Sequence, residues 1–415
     1  MLAHPCHRRR IEGINTLGIY DLLVAGSIAM RLSSREKESR IATLTRDNEK
    51  PDVINAFEKI AAGEKLHLSD VESLMGTNNL HLLGLFADKM REKVVGRTVT
   101  YIPNIILNYT NRCIVKCRFC AFYRELGSSE GYALTVDQAA DRVIEAWTRL
   151  RIRQALIQGG VNPEYGVEYF EELFRAIKTR TNGEVAINGL STSEIEYIAK
   201  KERMSVKELL SRLREAGIDS LPGAGAEILV DRVRRSVGRG LSTAEGWLRT
   251  MEEAHKLGIP TSATMVYGLG ETAEERAQHL LLIRDLQERT GGFKSFTAWN
   301  FEQGNTRLGR EGVITAAGPS AAEHLKITAL ARIVFGESLR NIQSSWLTNG
   351  VSLAQLSLCF GANDWGGTLY DEEVIPATGK NVGNLAPRII VESVKQIRRP
   401  VAERDNSYNI VRYVG

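Results

Sequence analysis

From about residue 98 to residue 343 the apolar positions fall into two alternating patterns. Short, nearly continuous apolar runs occupy Ile105–Tyr109, Ala155–Gln158, Val185–Asn188, Ser220–Leu221, Ser262–Tyr267, Ser295–Trp299 and Leu339–Gln343. Between them lie stretches near 136–149, 166–181, 205–216, 243–257, 273–290 and 320–335 with one apolar face at helical spacing. The first pattern predicts buried strands and the second predicts helices that cover them. Gly217 and Gly258 stand where two of the helices should stop, at the position where glycine accepts a left-handed backbone. Repeated βα units of about 30 to 45 residues predict a parallel sheet. Roughly seven in series, with no dinucleotide fingerprint after the first strand, predict an α/β fold of the TIM-type (β/α) barrel class. In such barrels the chemistry sits at the C-terminal ends of the strands.

The flanks read differently. Residues 51–97 predict helices: Ala56, Phe57, Ile60 and Ala61 form one apolar stripe, and Ser69 followed by Glu72 has the form of a capping box. Residues 1–50 are charged and irregular and predict a poorly ordered extension. Arg8, Arg9 and Arg10 ahead of Leu17–Met30 have the outline of a signal peptide, but Glu12 and Asp21 interrupt it. Residues 98–380 form the predicted barrel, and 381–415 a C-terminal segment packed on it. The longest run without a charged side chain, Asn341–Asn363, carries Asn341, Gln343, Asn349 and Gln355 and predicts a buried strand, turn and helix rather than a membrane span.

Composition narrows the function classes. The chain has 415 residues, 43% hydrophobic and 25% charged, values of a soluble globular protein. Its net charge of +4 is dispersed, with no basic block, so nucleic acid is not an expected partner. Of the five cysteines, Cys6 lies in the extension and Cys359 sits among apolar residues, where a buried small hydrophobe is expected. The other three form Cys113-x3-Cys117-x2-Cys120 directly after the first barrel strand. Three close thiols cannot all pair with one another, so the group predicts a metal or redox site. A closed zinc site needs a fourth ligand, and the nearest histidines are His81 and His255. A [4Fe–4S] cluster held by three thiolates keeps one iron open.

This spacing, with the aromatic Phe119 before the third cysteine, is identified as that of the radical S-adenosylmethionine superfamily. The resemblance implies that Cys113, Cys117 and Cys120 hold a [4Fe–4S] cluster whose open iron chelates S-adenosylmethionine. Electron transfer would then cleave the sulfonium C–S bond and yield a 5′-deoxyadenosyl radical. It also implies that Gly159-Gly160, after the second strand, approaches the methionine end of the cofactor, with Phe119 beside it. An electron donor such as flavodoxin or ferredoxin and a cytoplasmic location follow from an oxygen-sensitive cluster that must be reduced.

The resemblance narrows further on Asn108-Tyr-Thr-Asn111, Cys120-Ala-Phe-Tyr-Arg124, Asp219-Ser-Leu-Pro-Gly-Ala-Gly-Ala-Glu-Ile-Leu229, Thr290-Gly-Gly-Phe293 and Phe360-Gly-Ala-Asn-Asp-Trp-Gly-Gly-Thr368. These stretches resemble the menaquinone- and deazaflavin-pathway enzymes, most of all the cyclic dehypoxanthine futalosine synthase family. The implied substrate joins a ribose to a benzoate, and the implied reaction removes the ribose C4′ hydrogen and closes a spirocycle. Such a site needs a base and polar groups. Glu227, in a glycine-rich turn, is a catalytic candidate or a carboxylate serving the next helix. Asp364 is a second catalytic candidate, and Asn363 a substrate-binding one; together they could equally form a turn. Arg235 could pair with the benzoate or sit on the surface. Trp299 could flank the aromatic ring or pack in the core. Tyr109 and Asn111 could support the cluster. Two barrel-end histidines usual in that family are replaced here by Asn188 and Leu269. A related enzyme acting on another aromatic or nucleoside substrate is therefore a second expectation, and a zinc-binding module a third.

Overall fold

The computed structural model describes residues 49–238, 240–312 and 318–415. The expected N-terminal extension falls outside these residues except for Glu49 and Lys50. Three helices precede the sheet: α1 (Pro51–Ala62), α2 (Leu68–Met75) and α3 (Leu80–Val95). Glu49 opens the third of them by accepting the backbone N–H groups of Asn78 and Asn79 at 3.0 and 2.8 Å. The capping box expected at Ser69 and Glu72 is displaced by two residues. Asp70 instead accepts the His67 N–H at 2.9 Å and binds Lys59, because the chain is already helical at Leu68.

The expected alternation follows: β1 (Val99–Ile102), β2 (Asn104–Leu107), α4 (Val136–Leu150), β3 (Gln154–Ile157), α5 (Val167–Arg180), β4 (Ala186–Gly189), α6 (Thr192–Lys201) and α7 (Val206–Ala216). After Ser220–Leu221 come α8 (Asp231–Val237), α9 (Ala244–Lys256), β5 (Thr261–Tyr267), α10 (Ala273–Thr290), β6 (Phe293–Asn300), α11 (Ala321–Phe335), α12 (Trp346–Ser357) and β7 (Asp364–Gly367). The chain ends in α13 (Pro387–Gln396), β8 (Val401–Arg404) and β9 (Ile410–Tyr413).

Parallel pairing runs β2–β3–β4, then through single bridges to Ser220 and Leu221, to β5 and to β6. It continues through Ile342 and Gln343 to β7, and the bridge Tyr370–Ile105 returns it to β2. The ring is therefore closed, and the residues from Asp364 to Tyr370 are the stave that closes it. The helices lie outside and present apolar stripes inward. On α5, Val167, Phe170, Leu173, Phe174 and Ile177 are all buried, each burial contributing about 1.5–3 kcal/mol before ordering costs. The N-terminal helices cover α10 and α11.

Two expectations need correction. The C-terminal segment does more than pack on the barrel, because β8 hydrogen-bonds beside β1 in the same sheet as β7. It thereby carries Arg404 and Tyr408 into the barrel's interior. Cys359 is exposed rather than buried: Leu358 and Phe360 turn inward in the turn after α12 and leave the thiol between them at the surface. Among the described residues no helix is long and apolar enough to cross a membrane.

Candidate active site

The turn leaving β2 carries the cysteines. Asn108 ties its start to the next stave, donating to the Gln158 carbonyl at 3.0 Å. Asn111 holds Tyr132 N–H and the Glu130 carbonyl, which folds the segment back over itself. At its far end Arg124 donates to the carbonyls of Ala121, Phe122 and Tyr123, and the Cys113 N–H donates to the Arg124 carbonyl at 3.0 Å. The loop is thus closed by its own polar groups before anything binds to it.

Gly159 and Gly160 press against this loop. A Cβ on Gly159 would lie 2.8 Å from the Tyr109 ring. One on Gly160 would lie 2.3 Å from the Arg112 carbonyl oxygen and 2.9 Å from Cys113 Cβ. The glycine pair therefore lets the second turn touch the cysteine loop, and the next residue, Val161, donates its N–H to Cys113 Sγ at 3.3 Å. Gly160→Ala is expected to push the cysteine loop away, destabilising the fold by about 1–3 kcal/mol and lowering the iron retained after reconstitution. Urea unfolding and iron analysis check this; wild-type values in both would refute the packing account.

Cys113, Cys117 and Cys120 are the donors available. Burial pushes the Cys120 thiol up to about 11 and the Cys117 thiol well above its ordinary value, the neighbouring cysteines adding to both. Such sulfurs become thiolates only beside compensating positive charge. Among the described residues no three His, Cys, Asp or Glu side chains converge as the ligands of a single ion do. A cluster takes one thiolate per iron, so three cysteines on one loop suit it, whereas a closed zinc site needs a fourth ligand and no histidine lies on this loop.

Below the loop the barrel encloses a cavity of about 300 Å³. Phe119 and Cys120 line it together with Glu227 and Trp299. Glu227 follows a turn in which Gly223 and Gly225 have left-handed backbones, and it shares that conformation at φ 42°, an unusual one for a residue with a Cβ. It caps no helix; its buried Oε2 has no hydrogen-bond partner, and Arg234 Nη1 stands 3.9 Å away. Burial raises its carboxyl to about 6, against the pull of Arg234. A strained, buried carboxyl facing the cavity is suited to proton transfer near neutral pH.

Other expected residues do not meet there. Asp364 is fully buried and saturated: Arg404 binds it through Nε at 2.6 Å and Nη2 at 3.0 Å, and Thr100 and the Gly366 N–H also donate to it. It is not among the residues lining the cavity; the catalytic expectation is corrected to one of holding Arg404. Asn363 is likewise turned away, accepting from Arg332 Nη2 and the Ile342 N–H at 2.8 and 2.9 Å. Arg235 is exposed, because one residue's rotation on α8 turns Arg234 inward instead. Asn188 lines the cavity and accepts from Ser220 Oγ at 2.8 Å, whereas Leu269 lies in the core outside the lining.

The sequence reading missed Lys294, Glu372, Arg404 and Tyr408, which all line the cavity. Arg404 is held over the Tyr408 ring at 3.8 Å, and Asp364 keeps it charged. Glu372 accepts the Val374 and Ile375 N–H groups at 2.8 and 3.0 Å, and burial raises it to about 7. Only Lys294 left a signal, a charged residue inside a strand of otherwise apolar character.

Comparison with known proteins agrees with this arrangement. The radical SAM superfamily matches residues 107–283, and the CofH/MqnC C-terminal region matches 290–412. A cyclic dehypoxanthine futalosine synthase from Streptomyces coelicolor is 38% identical over 87% of this chain and 89% of its own. The chain belongs to the radical SAM superfamily. Within it the chain is an enzyme of the CofH/MqnC family, and the superfamily uses a [4Fe–4S] cluster and S-adenosylmethionine. A second relative of this radical SAM enzyme carries a different name. It is the 5-amino-6-(D-ribitylamino)uracil–L-tyrosine 4-hydroxyphenyl transferase of Methanothermobacter thermautotrophicus, 37% identical over 85% of this chain and 94% of its own. The fold resembles that of the FeFe-hydrogenase maturase HydG from Carboxydothermus hydrogenoformans. That match has a TM-score of 0.67 at 17% identity and covers 93% of this chain and 86% of that one. Methylornithine synthase matches with a TM-score of 0.63 at 19% identity, covering 83% of this chain and 96% of that one.

Proposed function

We propose that the enzyme cyclises dehypoxanthine futalosine, a step of menaquinone formation by the futalosine route, with Cys113, Cys117 and Cys120 holding the cluster. The observation that carries this reading is a cavity in the barrel directly beneath the cysteine loop, lined by the buried Glu227, whose Oε2 accepts no hydrogen bond. Held by Cys113, Cys117 and Cys120 and reduced, a [4Fe–4S] cluster would supply the one-electron chemistry that turns S-adenosylmethionine into a hydrogen-abstracting radical. Flavodoxin or ferredoxin supplies the electron. The protein's share is positioning and exclusion of water. Trp299 and Phe119 line the cavity with apolar surface, and Gln158, just past the end of β3, offers its amide to a ribose hydroxyl; the amides of Asn104, Asn108 and Gln154 are already bound to Gln154, Gln158 and Asn406. The cyclised radical would regain a closed shell by losing one electron, returned to the oxidised donor, and one proton, accepted by Glu227, so the substrate loses two hydrogens overall.

Glu227→Gln keeps the shape and removes the charge. Turnover is expected to fall by about 100-fold or more, with folding stability unchanged or slightly higher because a buried charge is gone. Wild-type turnover in this variant would remove Glu227 from the reaction.

A second reading has its own support: Asn188 replaces a proton-transferring histidine inside the cavity, and relatives named as tyrosine 4-hydroxyphenyl transferases are as similar as the cyclases. Anaerobic incubation with S-adenosylmethionine, a reductant and either substrate set separates the two. A product two hydrogens lighter than dehypoxanthine futalosine supports the cyclase. A tyrosine-derived adduct of the aminouracil, with dehypoxanthine futalosine left intact, supports the transferase.

A further inference from the structure

The cavity is electrically graded. Its end near the cysteine loop carries Glu227 and Glu372, together with Glu302, which pairs with Lys380 at 2.6 Å. The opposite end carries Lys294 and Arg404. Lys294 is the second residue of β6, and Trp299 lies five residues further along the same strand, a run of about 16 Å at ~3.3 Å per residue. The two cations at the floor differ. Arg404 is matched by Asp364 in a two-point contact. Lys294 joins none of the ion pairs found among the described residues; its Nζ donates to Ser220 Oγ and Asn406 Oδ1, each at 2.7 Å, and to the Asn406 carbonyl at 3.3 Å.

The carboxylates nearest to it are engaged elsewhere. Asp219 binds Lys178 at 2.6 Å, and Asp405 caps its own turn at Ser407 and Asn409. An ammonium held only by neutral acceptors gains from an anion, and the long third bond, to the Asn406 carbonyl at 3.3 Å, is the one a carboxylate would displace.

We propose that Lys294 is the carboxylate anchor of the cavity, fixing the acid group of the substrate at the end remote from the cysteine loop. The sign of the gradient supports this. A carboxylate at the other end would face Glu227 and Glu372, whereas at the floor it meets an ammonium. Burial and the nearby Arg404 push Lys294 down to about 7, opposed by Asp219 and Asp405, so a bound carboxylate would restore its full charge. The anchor also takes the role expected of Arg235, which is exposed. That the acid group is a benzoate rests on the cyclase reading; that it is a carboxylate does not.

The test is anaerobic calorimetry on the cluster-loaded enzyme with S-adenosylmethionine and no reductant. Two pairs are titrated: dehypoxanthine futalosine against its carboxamide, and L-tyrosine against L-tyrosinamide. The wild type is expected to prefer the carboxylate of one pair by about 10- to 100-fold, the range of one charge-assisted hydrogen bond. Lys294→Met should abolish that preference, and Lys294→Arg should largely keep it. Lys294→Gln, which can still bond to Asn406, serves as a second neutral variant if the methionine disturbs folding. A preference that survives both neutral variants, or none in either pair, overturns the assignment. A Lys294-dependent preference confined to the tyrosine pair upholds the anchor and overturns the cyclase.

Discussion

Exchanging Cys113 for serine is expected to abolish cofactor cleavage. The sulfur is buried, receives the Val161 N–H and lies against Gly160. A hydroxyl there stays protonated and cannot replace a thiolate as an iron ligand. The reconstituted variant should lose the brown colour and most of its iron, and formation of 5′-deoxyadenosine should fall by at least ~10³-fold, a loss of about 4 kcal/mol or more in transition-state stabilisation. Cys359→Ser is the matched control, since that thiol is exposed and outside the cavity lining. It should keep wild-type iron and turnover. Equal losses in both variants would mean that general thiol chemistry, and not the loop, governs the cofactor.

The second large effect belongs to Asp364. Replacing it with alanine leaves the Arg404 guanidinium buried and uncompensated, and breaking such a pair costs about 3–5 kcal/mol. The urea midpoint should drop accordingly. Removing both partners, in Asp364→Leu with Arg404→Met, should recover much of the stability, because the cost lies mainly in the orphaned charge. Turnover of the double variant should stay low, since Arg404 itself lines the cavity. If Asp364→Ala instead lost turnover at unchanged stability, Asp364 would be a participant in the reaction and the structural reading would fail.

These two residues mark what the sequence disclosed and what it hid. The cysteine loop was legible because its pattern is local: three cysteines and their spacing lie within eight residues. The barrel was legible because strand and helix periods alternate, and α10 begins and ends where its pattern predicts, at Ala273 and Thr290. Capping signals were less secure. Ser191 and Glu194 form a true capping box on α6, whereas Ser69 and Glu72, of the same form, lie inside a helix already begun. The difference is the extended backbone at Ser191, which the residue types alone do not reveal.

The cavity floor was hidden for a topological reason. Lys294 and Asn406 are 112 residues apart, and they meet only because β8 inserts beside β1. Asp364 and Asn363 read as a reactive pair in a glycine-rich loop. In the fold they begin the stave that closes the barrel, and their polar atoms satisfy buried arginines. Arg234 and Arg235 differ by a single helical step, about 100° of rotation, which puts one guanidinium against Glu227 and the other in water.

The central claim is that hydrogen is removed from a substrate seated in this cavity, at the ribose carbon. It is tested most directly with dehypoxanthine futalosine deuterated at C4′, incubated anaerobically with the loaded enzyme, S-adenosylmethionine and a reductant. Mass spectrometry of the 5′-deoxyadenosine should find one deuterium gained, alongside a product that has lost it. Unlabelled 5′-deoxyadenosine, formed at the same rate with and without the substrate, would contradict the account.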